Sequence, residues 1–242
     1  MSSDISLLHS LNGEWLKLPF AAMRDVGPAA QTLGGILAIT STETFSAASR
    51  IAERSRLPLP TVRRHLSTLA QRGWLDNLGR GHTRQGVPRR TCTHRLSCRT
   101  KESLDPYGIL PWWACGSIQP HGEPPWCAKA VLSVIMSRIC VLKHTAEQMG
   151  LYDLHEALED IGGDERFRWS LRNLEDATGL ARDSIVAAKQ WLARARIIRW
   201  SGMKTAKGCH AKDVLSPNWM FRVTAKPASR GMVTLHAGVV EK

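Results

Sequence analysis

The segment Thr61–Arg72, TVRRHLSTLAQR, sets Arg63, Arg64 and Arg72 among hydroxyl and amide side chains. At helical spacing Val62, Leu66 and Leu69 share one face, which leaves Thr61, Arg63, Arg64, His65, Ser67, Thr68, Gln71 and Arg72 facing outward. A guanidinium binds the N7 and O6 edge of guanine through two hydrogen bonds, and shorter polar groups reach phosphates or other base edges. A second cationic set follows: from Gly79 to Thr100 there are six arginines, at 80, 84, 89, 90, 95 and 99, and no acid. Its centre, GRGHTRQGVP, is rich in glycine, so its arginines sit on a loop suited to tracking a phosphate backbone.

Other chemistries find less support. Cys92, His94, Cys98, Cys115, His121 and Cys127 could ligate zinc, but C-x-H-x3-C is not a pair of zinc knuckles. They read as separate buried or surface residues, and no metal or cofactor is expected. No G-x4-G-K-[ST], H-E-x-x-H or G-x-S-x-G occurs. The two tyrosines, Tyr107 and Tyr152, have no paired histidines beside them in sequence as a nicking nucleophile would need. Trp112, Trp113 and Trp126 could stack on unpaired bases; filling a domain interface is the plainer reading. The chain does not read as an enzyme.

The elements that must hold these residues are short. SAASRIAERS, residues 46–55, puts Ala48, Ile51 and Ala52 on one helical face. Arg56-Leu57-Pro58-Leu59-Pro60 breaks that helix, Pro60 suits the first turn of the next, and Gly73 ends it. Trp74–Leu78 and Arg89–Leu96 have strand character on either side of the glycine-rich loop, giving helix, turn, helix and hairpin.

A similar series recurs. Ser170 caps a helix burying Leu171, Leu174 and Ala177, Gly179-Leu180 turns, and a helix over 181–195 buries Ile185, Ala188 and Leu192. Ile197–Trp200 starts a strand, the loop Gly202–Asp213 carries Lys204, Lys207, His210 and Lys212, and Asn218–Val223 returns. Turn leucine to strand residue spans 18 positions in both series, Leu57 to Leu75 and Leu180 to Ile198. Lys17-Leu18-Pro19-Phe20-Ala21 is echoed by Ile109-Leu110-Pro111-Trp112-Trp113, each before an apolar helix, Ala29–Ile39 or Ala128–Leu142. Two divergent copies of one module explain the pattern. The second helix exposes Arg182, Asp183, Ser184, Val186, Ala187, Lys189, Gln190 and Arg194, of which Val186 and Ala187 suit a thymine methyl or a partner's surface.

Composition agrees with such a partner. The 242 residues carry net charge +12, and 43% are hydrophobic, enough for a real core. Residues 47–100 hold 12 arginines against Glu53 and Asp76, and residues 166–242 hold 15 basic against 5 acidic groups. The segments 1–46 and 101–165 are net acidic, so two basic surfaces alternate with acidic stretches. A chain this basic commonly meets a polyanion. No apolar run reaches the roughly 18 residues of a membrane helix. No secretory signal is visible and six cysteines are irregularly spaced, so a cytoplasmic protein with reduced thiols is expected.

The segment 45–97 resembles the winged-helix family, with TVRRHLSTLAQRGWL similar to its recognition helix and the glycine-rich hairpin to its wing. That resemblance implies a mainly α fold with small β-hairpins (α+β) in two tandem winged-helix domains, 1–100 and 101–242, the second with an acidic insert at 153–165. The tandem, with its Leu-Pro-aromatic lead-ins, resembles plasmid and phage replication initiators, in which one chain reads repeated origin sites in duplex DNA. By this resemblance Thr61, Arg63, Arg64, His65, Thr68, Arg182, Lys189 and Arg194 read the grooves, and Arg80, Arg84, Arg89, Lys204 and Lys207 hold phosphates. Self-association and replication or transcription proteins are further partner classes. A transcriptional regulator on the same surfaces and a protein–protein adaptor are the alternatives.

Overall fold

The computed structural model describes residues 4–6, 15–39, 44–45, 48–79, 94–148, 168–204, 210–217, 221–226 and 234–239. The fold is mainly α with small, largely antiparallel sheets, as the sequence implies. Its contacts divide into a first unit, Leu16–Tyr107, and a second unit, Met1–Trp15 with Gly108–Lys242. Strand β1 (Asp4–Ser6) belongs to the second unit.

The first unit opens on β2 (Trp15–Pro19), where alternation buries Leu16 and Leu18. Pro19 leads into α1 (Phe20–Val26), whose first residue donates its N–H to the Pro106 carbonyl at 2.9 Å. Next comes α2 (Ala29–Ile39), buried continuously from Ala29 to Ile36, as an all-round apolar helix must be. Two glycines make that burial possible. A Cβ on Gly34 would lie 2.9 Å from the Lys17 carbonyl oxygen, and one on Gly35 would lie 2.8 Å from Ser55 Cβ. Gln31 Nε2 donates to the Ser55 carbonyl at 2.7 Å, and Ser55 Oγ donates to the Ile51 carbonyl at 2.7 Å, so the close approach is also hydrogen-bonded.

After β3 (Thr44–Phe45) come α3 (Ala48–Ser55) and α4 (Leu59–Gln71). Arg56, with φ of 51°, takes the left-handed position between them, and Leu57 N–H reaches back to the Ala52 carbonyl at 3.1 Å. Gly73, with φ of 72°, does the same after α4, with Trp74 N–H on the Leu69 carbonyl at 2.8 Å. The hairpin follows as β4 (Leu75–Asn77) and β5 (His94–Leu96), then α5 (Cys98–Glu102). β5 lies between β3 and β4, antiparallel to both, with Leu75 opposite Leu96 and Thr44 opposite Arg95.

The second unit runs through β6 (Tyr107–Pro111), a 3-10 turn at Trp112–Cys115, β7 (Ile118–Gln119) and α6 (Trp126–Gln148). Then follow β8 (Arg168–Trp169), α7 (Leu171–Thr178), α8 (Arg182–Arg194), β9 (Ile198–Lys204) and β10 (His210–Pro217). Ser170 caps α7 by accepting the Asn173 N–H at 3.0 Å, and Gly179 turns at φ of 70°. β10 lies between β8 and β9, antiparallel to both, the arrangement that β5 has in the first unit. β11 (Phe221–Lys226) and β12 (Thr234–Val239) join β1 and β7 in a four-stranded sheet of order β1-β11-β12-β7.

Two expectations are corrected. The strand that returns to β9 is His210–Pro217, not Asn218–Val223; the buried Val214 and Leu215 anchor it, and Phe221–Lys226 pairs with β1 and β12 instead. The polar Gly202–Asp213 stretch conceals this, because it reads as loop while its ends are paired. The N-terminal residues also group with the second unit and not with 16–100, because β1 pairs with β11 from Asp4 opposite Thr224 to Ser6 opposite Arg222.

Replacing Gly35 with alanine should lower stability by about 1–3 kcal/mol, since the added methyl meets the Ser55 backbone and overpacking exceeds the helix-propensity gain. Urea denaturation of Gly35→Ala against the parent protein measures it.

Candidate nucleic-acid interface

The helix-turn-helix of the first unit is built on one buried stripe. Val62, His65, Leu66 and Leu69 of α4 turn inward, three or four residues apart. Arg63, Arg64, Ser67, Gln71 and Arg72 are exposed, and Thr61 and Thr68 lie half-buried at the margins of that outer face. Thr68 Oγ1 donates to the Arg64 carbonyl at 3.2 Å, so its hydroxyl proton is engaged within the helix. No acid lies in the first turn of α4. The face combines two adjacent guanidinium groups with hydroxyl and amide side chains, the set that reads base edges in the major groove.

His65 does not face outward. The residue is 7% exposed, and Nδ1 shares a hydrogen bond with Thr32 Oγ1 of α2 at 2.8 Å. The position lies three residues after Val62 and four before Leu69, inside the stripe, and its register was the available sign. Burial, with the Arg64 charge adding to it, holds its pKa below the usual 6.5. Burial does the same to His94.

The C-terminal end of α4 is fastened by one carboxylate that sequence reasoning missed. Asp25 of α1 accepts from Trp74 Nε1 at 2.8 Å and from Arg99 Nη2 at 2.9 Å, and Arg72 Nη1 lies 3.8 Å away. Arg99 also donates to the Arg72 carbonyl at 2.5 Å and stacks over the Trp74 ring at 4.7 Å. Ser97 Oγ donates to the Gly73 carbonyl at 2.7 Å, and Thr100 Oγ1 donates to the Trp74 carbonyl, which ties α5 to the turn. Arg72 and Arg99 are thus partly neutralised at home. Asp25 has no sequence signature, because its partners lie 47 to 74 positions away. At the base of the hairpin Arg95 pairs with Asp76 across β4 and β5 at 3.1 Å.

In the second unit α8 buries Ile185, Ala188, Lys189 and Leu192. Lys189 was expected to face a groove, yet it is fully buried, with its ammonium 5.9 Å from the centre of the Trp200 ring. Four residues after Ile185 and three before Leu192, it too occupies the stripe; its long aliphatic stem can fill that space. Arg182 and Arg194 are exposed. Arg182 Nε pairs with Glu175 at 2.9 Å, and Arg194 Nε donates to the Gln190 carbonyl at 3.3 Å. Lys204 ends β9, while Arg80, Arg84, Arg89, Lys207, Cys92 and the acidic stretch 153–165 lie outside the described residues. Among the described residues no three His, Cys, Asp or Glu side chains group closely enough to hold a metal ion, and no helix is long and apolar enough to cross a membrane.

Residues 37–79 match the model of the IclR helix-turn-helix domain. That span runs from the end of α2 through the turn and α4 to the start of the hairpin loop. No curated protein and no solved structure matches the chain.

Both depressed histidines make stability depend on pH. The unfolded chain takes up protons near pH 6.5 that the folded imidazoles accept only at lower pH. Their contribution is therefore complete above that pH and is lost as pH falls below it. Thermal melts at pH 7.5, 6.5 and 5.5 should show a falling midpoint. His65→Gln should make the fall shallower, while losing about 1 kcal/mol at pH 7.5 with the Thr32 hydrogen bond altered.

Proposed function

We propose that the protein is a sequence-specific duplex-DNA-binding protein of the transcription-regulator type, with α4 as the element that enters the major groove. The observation that carries this reading is the exposed Arg63–Arg64 pair on the second helix of a helix-turn-helix that matches a known domain of that kind. The base-reading set is Thr61, Arg63, Arg64, Ser67, Thr68 and Gln71; His65 and Lys189 leave it because they are buried. Arg80, Arg84 and Arg89 of the hairpin loop supply phosphate contacts, which fix register without carrying sequence information. The net charge of +12 supports the same partner.

The second unit serves as a second DNA-binding module in this reading. Support comes from its matching order: a strand ending on proline, an apolar helix, a helix-turn-helix, and a three-stranded sheet with its last strand central. A replication initiator is the second reading of the same repeated order. Footprints at promoters support regulation, and footprints confined to repeats at a replication origin support initiation.

Binding to its selected duplex should weaken steeply with salt, about 10³- to 10⁵-fold between 50 and 200 mM if roughly six to ten phosphates are neutralised. Arg63→Ala combined with Arg64→Ala should cost about 1–3 kcal/mol on the preferred site and much less on unrelated duplex, narrowing the gap between them. Arg80→Ala with Arg84→Ala should weaken both alike. Anisotropy titrations with both duplexes measure these, and an unchanged preference in the Arg63/Arg64 variant removes α4 from the interface.

A further inference from the structure

Placing Leu57 on Leu180 aligns Val62, His65, Leu66 and Leu69 of α4 with Ile185, Ala188, Lys189 and Leu192 of α8. All eight side chains are buried, so the two helices turn their outer faces in the same register. The turns agree as well: the left-handed residues Arg56 and Gly73 lie 17 positions apart, as do Gly179 and Arg196. The outer rows can therefore be compared residue by residue. In α4 the row at i, i+3 and i+7 is Arg64, Ser67 and Gln71; in α8 it is Ala187, Gln190 and Arg194, and all six are exposed.

These rows call for different bases. Arginine in the first position of α4 suits the N7 and O6 edge of guanine, whereas alanine in that position of α8 suits a thymine methyl. Serine in the middle of α4 bonds to more than one base; glutamine in the middle of α8 pairs with adenine N6 and N7. The last positions also exchange, Gln71 against Arg194. Arg194 is held along its own helix by its Nε bond to the Gln190 carbonyl, which directs it to backbone phosphate more than to a base. Asp183, exposed in the first turn of α8, has no acidic counterpart in α4, so charge contributes less at that end of the second helix.

We infer that α4 and α8 read unlike half-sites, guanine-bearing for α4 and adenine–thymine for α8, with Gln190 as the specificity-determining residue of the second. Each bound site is then asymmetric, its two half-sites neither palindromic nor direct copies of one another. This inference rests on the duplex-binding reading above.

Selection of bound duplexes from a random pool by the full chain, followed by base-by-base competition, tests it. The selected site should contain two different half-sites. Gln190→Ala should reduce discrimination roughly 5- to 150-fold at one or two adjacent A·T positions. Those positions should differ from the ones relaxed by Arg64→Ala. Gln190→Glu, which keeps the shape but cannot donate to N7, should lose the same positions. Lys189→Met should leave every base preference in place. Two like half-sites overturn the inference. So do unchanged preferences in both Gln190 variants, or loss in Lys189→Met instead. If the parent chain binds no duplex, the underlying reading falls too, and that result is told apart because it appears before any variant is compared. Circular dichroism melts of the Gln190 variants should match the parent, as an exposed position requires.

Discussion

A helix of thirteen residues with one face against a core has little freedom in what it shows on the other. In α4 that limit is set by Val62, Leu66 and Leu69, whose burial against α2 and the small sheet fixes the helix's rotation. Once they are inside, Arg63, Arg64 and Ser67 have to be outside, because each residue advances roughly 100° around the axis. The buried side depends in turn on how near α2 lies. Gly34 and Gly35 leave no Cβ between α2 and its neighbours, and Gln31 ties it to the end of α3 at the Ser55 carbonyl. A bulkier residue there would move the frame that holds the arginine pair.

The same limit acts on α8 with a different outcome. A lysine stands where α4 has Leu66, and the stripe keeps its register, because a lysine stem covers apolar surface nearly as a leucine does. The left-handed residues are exchanged too. Arg56 and Gly179 turn between the helices, while Gly73 and Arg196 close the second one. Glycine fits that conformation freely, whereas an arginine there costs about 1–2 kcal/mol that surrounding contacts must offset. Backbone path and buried register agree between the units more closely than side-chain identity does.

Much of this was legible in the sequence because the signals were local. Pro58, Pro60 and Gly73 mark the ends of α4, Ser170 marks the start of α7, and the apolar spacing gives the inward residues. The polarity of His65 and Lys189 points outward but their position decides: each sits three and four residues from apolar neighbours, where the helix has no outer face to offer. β10 is hard to read in sequence because lysine, histidine and aspartate occupy its first half, and only Val214 and Leu215 reveal the anchor. Asp25 and the placement of β1 depend on partners far along the chain, which no window of sequence contains.

The distant contact at Asp25 bears on how the net charge is used. A formal +12 overstates what a polyanion meets, since a cation already paired with a carboxylate adds little to the outward field. Asp25 draws Arg99 and, more weakly, Arg72 toward the end of α4, Asp76 holds Arg95, and Glu175 holds Arg182. These pairs are at least partly exposed, so each adds little to stability, but each still directs a guanidinium along the protein surface. Arg63 and Arg64 stand on the outer face of α4, and Thr61, Ser67 and Gln71 share that helix. Pairing at the helix end and the hairpin base thus leaves Arg63 and Arg64 as positive charge on the outer face of a helix whose rotation its buried stripe fixes. A helix of fixed rotation sets the direction in which each arginine leaves the backbone, and the planar guanidinium then loses less freedom per hydrogen bond than a lysine ammonium does when it binds.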